Sequence, residues 1–258
     1  MNQTQLAMNY TTDLSNSQWQ VISKFLNLRR RRKYDLRKIV NAILYLIKTG
    51  CQWRMLPKDL PKWGMTYYYF RSWKKQGIIE KIHNALVKLL RKGEGRKGQP
   101  TAAIIDAQST KATLVSGESR GYDAGKKVKG IKRHIIVDTM GLILAVVIQS
   151  ASLQDRDGAK PVIEKLKGNW KRITKMFGDG GYRGKLIEWT KEKAGIDLEI
   201  VKRNELSKFK VLPKRWVVER TLSWLDTNRR NSKFYERLDE TGIAMVHCSA
   251  IRIMLNRL

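Results

Sequence analysis

Apolar residues recur at helical spacing across residues 13 to 92. SNSQWQVISKFL opens with cap-type residues and continues with an apolar stripe. DLRKIVNAILYLIKTG predicts a second helix closed by Gly50, and GIIEKIHNALVKLLRKG a later one closed by Gly93. Between them, the prolines of CQWRMLPKDLPKWGMTYYYFRSWKKQG mark an irregular connection, after which MTYYYFRSWKK reads as a short helix rich in aromatic and basic residues. GEGRKGQP, residues 93 to 100, has the composition of a linker. Beyond it the pattern turns extended: AAIID (102 to 106), KRHIIVD (132 to 138) and LILAVVIQSA (142 to 151), the last two separated by the turn-like DTMG. GAKPVIEKLKG then predicts a helix, ITKMF (173 to 177) a strand, GKLIEWTKEKAG a helix and DLEIV (197 to 201) a strand. The closing helix RWVVERTLSWLDTNRRN carries an apolar stripe of Val217, Val218, Thr221, Trp224 and Leu225, which leaves Glu219 on the opposite face, one turn from Arg215.

A hairpin followed by strand-helix units implies a mixed sheet covered by helices. The order is that of a ribonuclease-H-like α/β domain, expected over residues 101–258, behind an all-helical domain at 1–92 and a linker at 93–100. The charge changes what this scaffold is expected to meet. Lys and Arg number 52 against 23 acids, a formal charge of +29 spread along the whole chain. Such a charge repels itself unless a polyanion shares the surface, and nucleic acid is the commonest polyanion. A membrane surface is the competing partner, but no apolar run approaches 18 residues and the start MNQTQLAMNYTTD lacks a signal pattern, so a cytoplasmic protein is expected. Cys51 and Cys248 stand far apart and share no ligand spacing with His83, His134 and His247, which argues against zinc or a disulfide framework. Any metal is expected on oxygen ligands.

Among the acids, Asp106 ends what should be a central strand, where an unpaired carboxylate costs several kcal/mol and a metal or fixed donor removes the cost. A hydrogen-bonded turn is the plain alternative. Asp179, in MFGDGGYRG, follows an apolar strand among glycines that let a bulky ligand approach, or that simply make a loop. Asp138 in IIVDTMG reads as hairpin chemistry. Of Asp155 and Asp157, which precede the following helix, one reads as its cap, and Glu118 and Asp123 fall in a Gly- and Lys-rich loop, SGESRGYDAGKKVKG, that reads as a DNA-tracking or partly mobile segment. Glu219 by itself is a solvated partner of neighbouring arginines. Together, Asp106, Asp179 and Glu219 form a set of hard oxygen ligands from three segments, the kind that holds two Mg²⁺ ions for phosphodiester chemistry, with Mn²⁺ as a substitute. Basic residues expected on DNA are Arg71, Lys74 and Lys75 beside Tyr67 to Tyr69; Lys126, Lys127, Lys129, Lys132 and Arg133 in the basic loop at 117 to 133; and Arg215, Arg220, Arg229 and Arg230 around Glu219. Tyr68, Phe70 and Trp73 serve equally well as packing for the helical domain.

At these residues the sequence resembles a bacterial insertion-sequence transposase of the DDE type, in the IS-five group. DLSNSQWQVISKFL through GCQWRMLPKDLPKWGMTYYYFRSWKKQGI is similar to the family's N-terminal helical domain. IIDAQSTKAT, RGYDAGKKVKGIKRHIIVDTMGLIL, GDGGYRG and RWVVERTLSWLDTNRR are similar to its catalytic domain. Carried over by position, the resemblance implies Asp106, Asp179 and Glu219 as the metal-binding catalytic triad, double-stranded DNA ends and target as partners, and a homodimer or higher oligomer on DNA. Relatives often carry Tyr and Lys where this chain has Leu212 and Asp226, and an acidic residue where it has Phe234. A DNA-binding protein without catalysis, and a metal nuclease that cuts without joining, are the rival readings.

Overall fold

A computed structural model of the chain describes residues 10–29, 33–117, 119–201 and 213–258, with side chains of the last stretch from 216 onward. Leu212 and Glu118, and the side chain of Arg215, lie outside these residues.

The N-terminal part folds into α1 (Asn16–Ser23), α2 (Leu36–Thr49), α3 (Trp63–Lys75) and α4 (Ile78–Gly93). Ser15 starts α1 with a capping box: its hydroxyl accepts from Gln18 N and the Gln18 amide accepts from Ser15 N, satisfying two donors that the first turn leaves orphaned. Asp35 caps α2, whose end falls at Gly50, with φ +71; a Cβ there would also lie 2.9 Å from Arg229 Cβ. In α3, Phe70 and Trp73 are buried while Tyr68 stands exposed, so the aromatic run divides between packing and surface.

The second part is built on β1 (Ala102–Lys111), β2 (Gly121–Asp123), β3 (Val128–Asp138), β4 (Ile143–Ser150), β5 (Lys175–Gly178) and β6 (Asp197–Ile200). Among these lie α5 (Asp155–Asn169) and α6 (Lys185–Ala194), and after them α7 (Pro213–Asp226) and α8 (Asp239–Leu255). Among the described residues these six strands form one mixed sheet in the order β2-β3-β1-β5-β6, with β4 also on β3. β1, β3 and β4 pair antiparallel, while β5 runs parallel to β1 and β6 parallel to β5. This is the ribonuclease-H-like mixed sheet flanked by helices that the order of elements predicts.

Four details depart from the sequence reading. β1 continues through the polar residues Gln108 to Lys111, because β3 pairs with it along that whole length. The Gly- and Lys-rich loop contains the short strand β2, paired with the start of β3. α5 begins at Asp155, so Asp155 and Asp157 occupy its first turn and Gln154 is the N-cap. α8 has no counterpart in the periodic pattern, since it is apolar on nearly every side and buried among helices and sheet.

One apolar core runs from α1 and α2 through the sheet to α8. Polar contacts reinforce the join: the Arg91 guanidinium of α4 ion-pairs with the fully buried Asp138, the rings of His83 (α4) and His247 (α8) stack with centroids 4.7 Å apart, and Gln18 Nε2 donates to Leu255 O at 2.9 Å. Asp138 also accepts from the amides of Met140 and Leu142, so the hairpin role expected of it is the one it has.

Candidate active site

The parallel β1–β5 ladder ends with Ile104 opposite Phe177; Asp106 and Asp179 each follow two residues further along and line one cleft, where the Asp179 charge acts on Asp106, which shares a face of β1 with Ile104. Two observations identify that face as the one α7 covers. Asp106 shares it with Gln108 and Arg133, and those two side chains reach Asp226 at the end of α7, at 2.9 and 3.7 Å. α7 is seated by Val217, Val218, Thr221, Leu222 and Leu225, with Trp224 only partly covered, and the Thr221 hydroxyl donates to Gly141 O at 2.8 Å. Glu219 thus lies on the exposed side of α7.

Each aspartate is fixed by its own backbone. Asp106 accepts from Ala107 N at 2.7 Å, and Asp179 caps the turn Gly180–Tyr182 by accepting from Gly181 N at 2.8 Å. Gly178 lets β5 end here: a Cβ would lie 3.0 Å from the Tyr182 ring and 3.1 Å from Ile105. The Asp106 carboxyl is pushed up to about 6. Burial is the main cause; the Ala107 amide opposes it, the charges of Asp179 and Glu219 add to it, and Lys126 counteracts them. Tyr182 is buried, its hydroxyl has no hydrogen-bond partner among the described residues, and burial followed by Asp106, Asp155 and Asp179 holds its pKa well above 10. The sequence reading did not single out this tyrosine; its only signal is an aromatic residue inside a glycine-rich turn.

A desolvated carboxylate with like-charged neighbours suits a hard divalent cation, which removes the repulsion and accepts oxygen ligands. In that chemical sense Asp106, Asp179 and Glu219 fit such an ion. As the side chains stand, no three His, Cys, Asp or Glu groups among the described residues are gathered closely enough to hold one.

The expected DNA contacts separate into two sets. Arg71, Lys75, Lys126, Lys127, Lys129 and Arg229 are exposed, and Arg220 is partly covered, stacked between the rings of Trp216 and Trp224. Lys74 is partly buried against Glu240 and Thr241. Lys132, Arg133 and Arg230, also expected on DNA, are buried in internal pairs of the fold. Lys132 is spent on Leu153 O (2.6 Å) and Asp155 (2.9 Å), Arg133 on Asn231 O (2.5 Å) and Gln108, and Arg230 on Glu236 (2.5 Å), all with buried side chains. Phe234 is likewise buried, packed with Ile131 and Ile148.

Residues 97–254 match the family model described as "Transposase DDE domain", and residues 14–83 the one described as "Putative transposase of IS4/5 family". A Burkholderia cepacia protein named "Putative transposase for insertion sequence element IS402" is 31% identical over 121 residues, which cover 44% of this chain and 57% of that protein. The chain thus spans little more than half the length of this curated relative.

Proposed function

The chain belongs to the DDE transposase family, and from that premise we propose that it is the transposase of a bacterial insertion sequence, which binds the element's terminal inverted repeats, cuts DNA there and joins the freed ends to a target. The observation that carries this reading is the pair Asp106 and Asp179 under α7, with Glu219 adding to the negative charge gathered around Asp106. Divalent cations, two Mg²⁺ ions or Mn²⁺ in their place, supply charge neutralisation and activation of the attacking oxygen when bound. The three carboxylates hold them, and Glu219 has to approach the aspartates for that purpose.

Residues 1–92 act as the end-recognition unit, with 93–100 as the connection to the catalytic unit 101–258. Arg71 and Lys75 on α3, with exposed Tyr68, meet the duplex there. Lys126, Lys127 and Lys129 line the approach to the carboxylates, and Arg215, Arg220 and Arg229 grip phosphates beside Glu219. Lys74 contributes only after leaving Glu240. Two ends have to be brought together, so the active species is a dimer or higher oligomer on DNA. The protein works on nucleoid DNA in the cytoplasm; among the described residues no helix is long and apolar enough to cross a membrane.

The test is cleavage and joining of end-bearing duplex with Mg²⁺. Asp106→Asn, Asp179→Asn and Glu219→Gln should each abolish both steps while the shift of end DNA in a gel persists. Salt-sensitive binding by the wild type without any strand breakage would instead identify a DNA-binding protein that lacks catalysis. Cuts without joined product would identify a nuclease.

A further inference from the structure

Several cations close to the carboxylates are consumed by the fold, and Lys126 is an exception. It sits in the turn between β2 and β3, next to Lys127, whose φ of +52 is the only positive value at a non-glycine among the described residues. A left-handed backbone crowds the Cβ of a lysine, so something must hold the turn in this shape. Asp123 does so from the preceding strand. Its Oδ1 accepts from Lys126 N at 3.0 Å, its Oδ2 accepts from the Ser109 hydroxyl at 2.5 Å, and Lys132 Nζ lies 3.7 Å away. Burial disfavours ionisation of Asp123, but these donors outweigh it and hold the carboxyl below its ordinary range.

The clamped turn sends the Lys126 side chain back along β1, where Nζ donates to Ala107 O at 3.2 Å. The amide of that same residue is the donor that fixes Asp106. An ammonium has three N–H donors, and one suffices for the Ala107 carbonyl, so an exposed lysine here keeps donors for an incoming oxyanion. Lys132 and Arg133, one strand away, have no such capacity because both are buried in internal pairs.

We propose that Lys126 is a catalytic residue that contacts a non-bridging oxygen of the scissile phosphate, and that Asp123 positions it by clamping the β2–β3 turn. The assignment rests on the DNA-cleaving reading of Asp106 and Asp179. Charge builds on the phosphate oxygens during attack, and a preset cation stabilises it without reorganisation. Lys126 exchanges no proton in this step.

The experiment pairs protein variants with end-bearing duplex carrying one neutral methylphosphonate, either at the scissile position or two nucleotides away, and reads affinity without divalent ions beside cleavage with Mg²⁺. Lys126→Ala and Lys126→Gln should each slow cleavage by about 10²-fold. In the binding cycle the scissile methylphosphonate should weaken the wild type by roughly tenfold and both variants hardly at all, while the displaced one weakens all three equally. Asp123→Ala, which removes both acceptors, should lose the same coupling; a merely architectural Asp123 would lower the melting temperature and leave the coupling intact. Additive penalties at the scissile position, with wild-type cleavage present, would overturn the role of Lys126 alone. Absence of cleavage by the wild type would remove the reading beneath it as well.

Discussion

Asp106 and Asp138 lie on neighbouring antiparallel strands of one sheet, and the fold treats them in opposite ways. Asp138 is fully buried, yet both its oxygens are occupied: Oδ1 accepts from Met140 N and Leu142 N at 2.9 Å each, and Oδ2 pairs with Arg91. Asp106 is less covered but, among the described residues, receives only the Ala107 amide as a hydrogen-bond donor, while Asp179 and Glu219 add negative charge around it that Lys126 partly offsets. A carboxylate neutralised by its own chain supports the structure; one held among like charges needs an external cation, and is the better candidate for chemistry.

The largest effect should come from removing that charge. Asp106→Asn is expected to reduce Mg²⁺-dependent cleavage by on the order of 10⁴-fold, the scale seen when one member of a concerted catalytic set is lost. Its stability should move the other way. The raised pKa means the fold favours the protonated acid, so a stabilising contribution present at low pH is lost once pH passes about 6, and at neutral pH the ionised Asp106 is a burden. The neutral amide introduced by Asp106→Asn would remove that burden, raising metal-free stability at pH 7 by about 3 kcal/mol. Mg²⁺ should raise the melting temperature of the wild type and leave that of the variant nearly unchanged. A variant that is both inactive and unstable would contradict the contrast.

Asp138→Ala should do the reverse. With its partner gone, Arg91 is a buried cation whose guanidinium is left, among the described residues, with only the Lys97 carbonyl, and the loss should be about 3–5 kcal/mol by chemical denaturation. Where folded, the protein should keep its Mg²⁺-induced stabilisation. Equal loss of stability in Asp106→Asn would erase the distinction.

The sequence made part of this contrast legible. Asp106 and Asp179 were visible because each follows an apolar run, and IIVDTMG reads as a hairpin for the reason Asp138 has its role, a carboxylate closing a turn. The partners were not visible. Arg91 lies 47 positions from Asp138, Lys132 meets Asp155, and Arg133 meets Asp226, so a count of basic residues cannot separate spent cations from available ones. Helix α8 escaped for a related reason: burial on nearly all sides removes the alternation that betrays a helix. The clamp of Asp123 on the β2–β3 turn needs a strand pairing that a Gly- and Lys-rich stretch conceals.

The histidines that join α4 to α8 extend the comparison to pH. His83 and His247 are buried and stacked; burial pushes His83 down to about 4 and His247 well below its usual value, with Lys165 lowering both further and the Asn84 contact partly offsetting the effect at His83. With folded values below the unfolded one, the unfolded chain binds more protons between them. The contribution is complete above about pH 6.5 and lost as pH falls toward 4, by roughly 3 kcal/mol for His83 alone. Denaturant melts from pH 7.5 to 4.5 should show this slope, and His83→Phe should flatten it. An unchanged slope would place the titration elsewhere, away from the join between the helical region and α8.

The smallest effect should separate exposed from buried cations as Asp106 and Asp138 separate the acids. Lys129 is exposed on β3 opposite Tyr122, whereas Arg133, on the same strand, is buried and bound to Asn231 O and Gln108. Lys129→Ala should leave the melting temperature unchanged, weaken DNA binding almost equally for end and unrelated sequences, and lower the slope of log K against log salt by about 1, as expected for one lost phosphate contact. Arg133→Ala should lower stability and leave that slope alone while the protein is folded. Titrations at several salt concentrations, beside thermal melts of both variants, distinguish the two. A reduced slope for Arg133→Ala with unchanged stability would mean that its internal partners release it to DNA, and that burial in the free chain does not decide which cations meet the duplex.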